Sequence, residues 1–222
     1  MRGKEERKWE EMKLTTEQKI ERLWDRHEIE NLMGRYALYH CAREHEKTFE
    51  LFADREDISL SCGDMGVYRG REGVKAFFVD WHYNLEMAPE GAFNEHLLTS
   101  PVIEIAEDGA TAYAVWISPG AETRHVAPDG RLEAIWIWGK YGVDFIKENG
   151  QWKFWHFTIT QDFMCDYHHS WVECEKEHGP KVMNNGMPQN SGPCGWEDGY
   201  TQKIVKTMVP PMPEPYKTRE DQ

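Results

Sequence analysis

LEAIWIWGKYGVDFIKENGQWKFWHFTITQDF, residues Leu132–Phe163, is two long runs of β-branched and aromatic residues alternating with polar ones, joined at Asn149-Gly150. Asn-Gly between alternating apolar runs is among the strongest short-range hairpin signals, because both residues accept the positive φ of a type I′ turn. Working upstream, Pro128-Asp129-Gly130 separates this pair from TAYAVWIS (Thr111–Ser118), and Asp108-Gly109 separates that run from HLLTSPVIEI (His96–Ile105). The spacing predicts four long antiparallel strands. Apolar residues fall at both parities of the last two: Ile135 and Ile137 against Trp136 and Trp138, and Trp155, Phe157 and Ile159 against Trp152 and Phe154. Such a sheet must be covered twice. Helices can cover one face; a sheet curled round a pocket, or a neighbouring subunit, must cover the other.

Before the strands the period is helical. Ile20, Leu23, Trp24, His27, Leu32, Met33 and Tyr36 recur on one face of a long helix that starts near Thr15 or Thr16, and a bend near Arg43 leads to a short second helix, KTFELF. Ile58–Cys62 and Gly66–Gly70 read as short strands, and REGVKAFFVDWHYNLE as a third helix ended by Pro89 and Gly91. Helices followed by an antiparallel meander imply an α+β fold, a curved antiparallel sheet wrapped around helices with an internal pocket. Residues 1–15 form a charged N-terminal arm, 16–165 one domain, and 166–222 a Gly-, Asn- and Pro-rich extension that wraps the core or a neighbouring subunit.

Composition narrows the function. The 39 acidic residues outnumber 26 Lys plus Arg, and a net charge of −13 repels nucleic acid and anionic lipid. No apolar run reaches the roughly 18 residues that a membrane span needs, and no secretory h-region opens the chain. Five irregularly spaced cysteines argue against a disulfide framework and for the cytoplasm. Cys165, His168, His169, Cys174 and His178 crowd together without the spacing of a zinc motif, and no glycine-rich phosphate loop is present, so the expectation is no metal and no cofactor. The 10 Trp, 9 Tyr and 9 Phe suit a small hydrophobic or aromatic substrate.

In the second half of the first helix, GRYALYHC (Gly34–Cys41), polar rings interrupt the apolar stripe. Tyr36 and His40 are four apart and share a face, flanked by Tyr39 and Cys41, a set we read as the floor of the pocket. Trp116, Trp138, Phe154 and His156 fall on strands that curl round it, as substrate-binding or core residues.

RYALYHCAREHEKTFELF (Arg35–Phe52), GVYRGREGVKAFF (Gly66–Phe78), HLLTSPVI (His96–Ile103) and GQWKF (Gly150–Phe154) together resemble, in order, the motifs of the NTF2-like superfamily with its cystatin-like cone, in the SnoaL-like branch of scytalone dehydratase and bile-acid 7α-dehydratase. The resemblance implies that His96 is a catalytic base, that Tyr68 and Tyr36 hold a substrate carbonyl, and that the protein is a homo-oligomer, trimeric or dimeric. Three positions depart: Cys41 stands at the aspartate that orients the histidine, His40 at a tyrosine, and Gly120 at a second histidine. The implied activity is a cofactor-independent lyase of dehydratase type, or an isomerase. A positioned imidazole takes a proton beside a carbonyl and returns it to the leaving group, phenols stabilise the oxyanion, and His40 orients a water, donates a proton or fills a packing gap. Retro-aldol release of a one-carbon fragment from an aryl diol would use the same groups. A non-catalytic ligand-binding or assembly module is the other class open to this fold.

Overall fold

Thr15 starts the first helix, α1 (Thr16–Cys41), through a reciprocal capping box: its Oγ1 accepts the Gln18 N–H at 3.2 Å, and its own N–H donates to Gln18 Oε1 at 2.9 Å. The computed structural model of the chain describes residues 14–82, 90–126, 129–173, 187–194 and 199–219; the expected arm up to residue 13, the end of the third helix, Cys174 and His178 lie outside them. The buried stripe of α1 is Asp25, Ile29, Leu32, Met33, Tyr36 and His40. Ile20, Leu23 and Trp24, expected on that stripe, are exposed instead. What seats the first half of α1 is polar. Asp25 accepts the indole N–H of Trp152 at 2.9 Å and pairs with Lys147, and Arg22 donates to the Ile105 carbonyl at 3.0 Å.

The remaining elements are α2 (His45–Glu50), β1 (Ser59–Cys62), β2 (Gly66–Arg69), α3 (Gly70–Lys75), β3 (Phe93–His96), β4 (Thr99–Ile105), β5 (Thr111–Val126), β6 (Arg131–Glu148) and β7 (Gln151–Asp166). α3 widens into a π-helical turn over Ala76–Trp81. One seven-stranded sheet runs β2-β1-β7-β6-β5-β3, with β4 also on β5. It is mixed rather than wholly antiparallel, because α1 and α2 carry the chain across before β1 enters, and β1 then lies parallel to β7. The turns are as the sequence predicts: Asn149 and Gly150 both have positive φ, 50° and 78°.

Two irregularities decide which side chains face the helices. The single expected strand from His96 to Ile105 is divided: β3 ends at His96, Leu97 still donates to the Pro119 carbonyl at 2.9 Å, Ser100 has φ 50°, and the register shifts between Thr99 and Val102, beside Pro101. His96 therefore ends a short strand instead of opening a long one. In β7, register shifts opposite Trp138/Gly139 and Asp144/Phe145 insert extra residues. The second shift lets Phe154 and Phe157, of opposite parity, both join the core. Much of the apolar content read as two covered faces is thus one face interrupted by a bulge. That face also carries Ala112, Ala114 and Trp116 of β5 and Tyr141, Val143 and Phe145 of β6, packed on α1 and on Phe77 and Phe78. Burial of each large side chain contributes roughly 1.5–3 kcal/mol.

The extension lies over the chain's own sheet. Thr160 Oγ1 donates to the Val209 carbonyl at 3.0 Å, the Tyr113 hydroxyl to Pro211 at 3.2 Å, and the Glu107 N–H to Tyr216 at 3.1 Å. Arg219 meets Asp144 at 3.1 Å. Farther round, Ser191 and Gly192 exchange backbone hydrogen bonds with Val67 on the free edge of β2. No described helix is long and apolar enough to cross a membrane.

The tail approaches closely at Gly142, where a β-carbon would lie 2.5 Å from Pro210 and 3.0 Å from the Tyr113 hydroxyl. Gly142→Val is expected to cost about 1–3 kcal/mol, the usual cost of overpacking, and to expose residues 199–219 to proteases. Urea unfolding and limited proteolysis check this; an unchanged midpoint with an unchanged cleavage pattern would refute the tail's packing role.

Candidate active site

The last turn of α1 sets His40 against Tyr36, with rings 5.8 Å apart and nearly parallel at 9°. The helix closes with the Arg43 N–H donating to His40 at 3.1 Å and the Glu44 N–H to Tyr39 at 2.8 Å, and this turn brings the first residue of α2, His45, to 5.6 Å from the His40 ring. The π-turn ends at His82, whose Nδ1 donates to the Phe77 carbonyl at 2.7 Å and whose ring lies 4.9 Å from His45 and 5.6 Å from His40. His96, the last residue of β3, lies 5.5 Å from His40. Histidines from four separate elements thus meet at one end of the helix layer.

His96 is held by a carboxylate from the neighbouring strand. It pairs across the ladder with Gly120, and Glu122 lies two residues farther along β5 on the same face. His96 Nε2 is 2.7 Å from Glu122 Oε1. Arg124 Nη2 donates to the same oxygen at 2.8 Å, and Arg124 Nε closes on the other. Burial pushes the Glu122 carboxyl upward, but the Arg124 guanidinium and the His96 hydrogen bond outweigh it and hold the group down at about 2. An ionised carboxylate only accepts, so Nε2 carries the hydrogen and Nδ1 of the neutral ring keeps its lone pair. Gly120 makes room for this pose. A β-carbon there would fall 2.7 Å from His96 Nδ1 and 2.8 Å from an Ile137 methyl.

The other sequence-derived candidates divide. Tyr36 is buried beside His40, and its hydroxyl shares a hydrogen bond with that of Tyr141, an inward residue of β6. Cys41 lies against the backbone N–H of His96 and the side chain of Glu95, so it steadies β3 rather than the imidazole. Trp116 is a core residue on the same face, stacked edge-on to Phe145 at 6.2 Å. Tyr68 sits inward at the opposite edge of the sheet, and its hydroxyl donates to the Met65 carbonyl at 3.1 Å, with that of Pro188 at 3.5 Å. Tyr39 lies at the margin under Lys47. Two candidates are turned away. Trp138 pairs with Pro119 on the face opposite His96, where it stacks on Phe163, and His156 pairs with Asp144 on that outer face, its Nδ1 3.1 Å from Ser59 Oγ.

Sequence reasoning missed Glu122, Arg124, His45 and His82. Glu122 and Arg124 read as the polar half of an alternating strand, and His82 depends on the π-turn. His45 did have a signal, since HCAREHE places it five residues after His40 across a helix break. Among the described residues, no group of three or more His, Cys, Asp or Glu has the geometry to hold a metal ion.

Burial first, and then the neighbouring imidazoles, hold His40 well below the usual histidine range; burial pushes His82 down to about 3. Both are neutral at pH 7, so His40 offers hydrogen bonds there rather than a proton. The folded values lie below the unfolded one, so the unfolded state binds protons first, and stability present above pH 6.5 is lost as the pH falls from 6.5 towards 3. Denaturant unfolding across this range is expected to show that slope, and His82→Asn to flatten it. A stability flat from pH 7 to 4 would contradict the buried neutral cluster.

Comparison with known proteins agrees with this architecture. Residues 21–158 match the family model of the SnoaL-like domain. A scytalone dehydratase-like protein of Novosphingobium aromaticivorans superposes with a TM-score of 0.55 at 18% identity, over 69% of this chain and 94% of that one. The hexachlorocyclohexane dehydrochlorinase LinA-type3 of Novosphingobium barchaimii gives 0.54 at 15% identity, over 68% and 96%. No curated protein matches in sequence. With its family match spanning more than half of the chain, the protein belongs to the SnoaL-like domain family, of the NTF2-like fold.

Proposed function

We propose that the protein is a cofactor-independent lyase of dehydratase type, or an isomerase, acting on a small aromatic or polycyclic substrate, with His96 as the base. The observation that carries the reading is the 2.7 Å bond between His96 Nε2 and the buried, ionised Glu122. It fixes the ring orientation and stabilises the imidazolium that forms when Nδ1 takes a proton. In an elimination, Nδ1 removes the proton from the carbon next to a carbonyl. The electron pair forms the carbon–carbon double bond, and the β-hydroxyl leaves with the proton returned by Nδ1. Tyr36, paired with Tyr141, polarises the carbonyl oxygen as it gains charge, and neutral His40 assists from beside His96 by holding the substrate. Tyr68, occupied by backbone carbonyls, positions the wall rather than the oxygen. The names of the structural neighbours, a dehydratase and a dehydrochlorinase, both describe eliminations. In an aryl 1,3-diol the same base would take the terminal hydroxyl proton; the oxygen's pair forms the carbonyl of formaldehyde, the pair of the breaking carbon–carbon bond forms a carbon–carbon double bond, and the benzylic hydroxyl leaves as water with the proton returned by Nδ1.

Exposed Ile20, Leu23 and Trp24 on α1 support self-association. A trimer or dimer is expected by light scattering; a monomer at micromolar concentration would contradict it.

The mechanism is tested by product analysis over a panel of aromatic β-hydroxy ketones and aryl diols. His96→Asn should lower turnover at least about 100-fold, the low end of what a positioned base contributes. Glu122→Gln should lower kcat and move the pH–rate profile while the protein stays folded. Full turnover in His96→Asn would end the proposal.

A further inference from the structure

The turn that closes α1 is a Schellman-type cap, and its left-handed position, normally glycine, is Arg43 at φ 60°. A side chain there is held at a cost in backbone strain, and strained positions concentrate where a side chain has work to do. Its guanidinium is partly buried and lies within electrostatic reach of Arg124, Glu122 and Cys41. Nearby carboxylates are engaged elsewhere. Glu122 is already shared by His96 and Arg124, Glu44 pairs with Lys47 on α2, and Glu95 contacts the Cys41 thiol. Among the described residues, Arg43 forms no ion pair. In a chain of net charge −13, this corner holds two guanidiniums, of which Arg124 is matched by Glu122. A third observation points the same way: His40, 9% exposed, has an Nδ1 with no hydrogen-bond partner, next to His96.

We infer that this corner binds a carboxylate carried by the aromatic substrate, with Arg43 as its principal partner and the unsatisfied edge of His40 beside it. A planar two-oxygen anion matches the guanidinium fork, and it brings less negative charge than a dianionic phosphate to a corner where Glu122 and Glu95 already stand. The inference rests on the proposed site but not on its chemistry, since a carboxylate docked at Arg43 needs no proton transfer to bind.

The test is ligand binding, read by tryptophan fluorescence and calorimetry, with 3-phenylpropanoate, its neutral amide 3-phenylpropanamide, and benzyl phosphate. The wild type should bind the acid at least about 10-fold more tightly than the amide, an ion-pair-sized preference, and more tightly than the phosphate. Arg43→Gly is the decisive variant. It should erase the preference while raising the melting temperature, because glycine suits the left-handed cap. His96→Asn should retain the preference, so a failed base and a failed anion site give different results. Equal binding of acid and amide by the wild type would overturn the inference, as would a preference that survives in Arg43→Gly or a phosphate that binds more tightly than the acid.

Discussion

A carboxylate with 1% of its side chain exposed, shared between an imidazole and a guanidinium, is the constraint on which this site depends. An unpaired ion at Glu122 would cost several kcal/mol of desolvation, and removing one partner of such a group typically costs about 3–5 kcal/mol. Glu122 therefore stays ionised only because Arg124 and His96 converge on it, which requires β3 to pair with β5 in one register. A one-residue slip would turn Glu122 to the opposite face. The pairing of β3 with β5 and the missing side chain at Gly120 both serve this one juxtaposition.

Seen this way, the departures from the dehydratase pattern are connected. The resemblance places an aspartate at Cys41, on the helix, and a second histidine at Gly120, on β5. Here the helix position touches the β3 backbone, the β5 position is empty space over which the imidazole lies, and the acid comes from two residues farther along β5. A β5 carboxylate facing His96 in this pose requires a small residue at position 120, because a β-carbon there would fall 2.7 Å from His96 Nδ1.

Much of the fold is legible in the sequence, because glycine turns and alternation are local properties. Asn149-Gly150 and Asp108-Gly109 end strands where expected, and Tyr36 and His40 share a face because a helix repeats every 3.6 residues. What is not legible depends on distant partners. Trp138 and His156 looked equivalent to Trp116 until the pairing register set their faces. The two parities of β7 looked like two apolar faces because one inserted residue is invisible to a period-two reading. Glu122 could not be told from a solvent-facing strand residue, since its burial is created by His96, 26 positions away.

The four imidazoles carry one further consequence. His40 and His82 are neutral at pH 7 for the reason that makes Glu122 costly: they lie in a region from which water is excluded. In such surroundings a charge is stabilised only by groups already aimed at it, and the aimed groups are few: the Arg124 guanidinium on Glu122, the Tyr36–Tyr141 hydroxyl pair, and the edges of His40 and His96. A proton taken by His96 therefore changes the local charge next to an anion already in place, and the imidazolium is stabilised without solvent reorganisation. The enclosure that predicts acid sensitivity of the fold is the same one that supports the proposed role of His96 as a base.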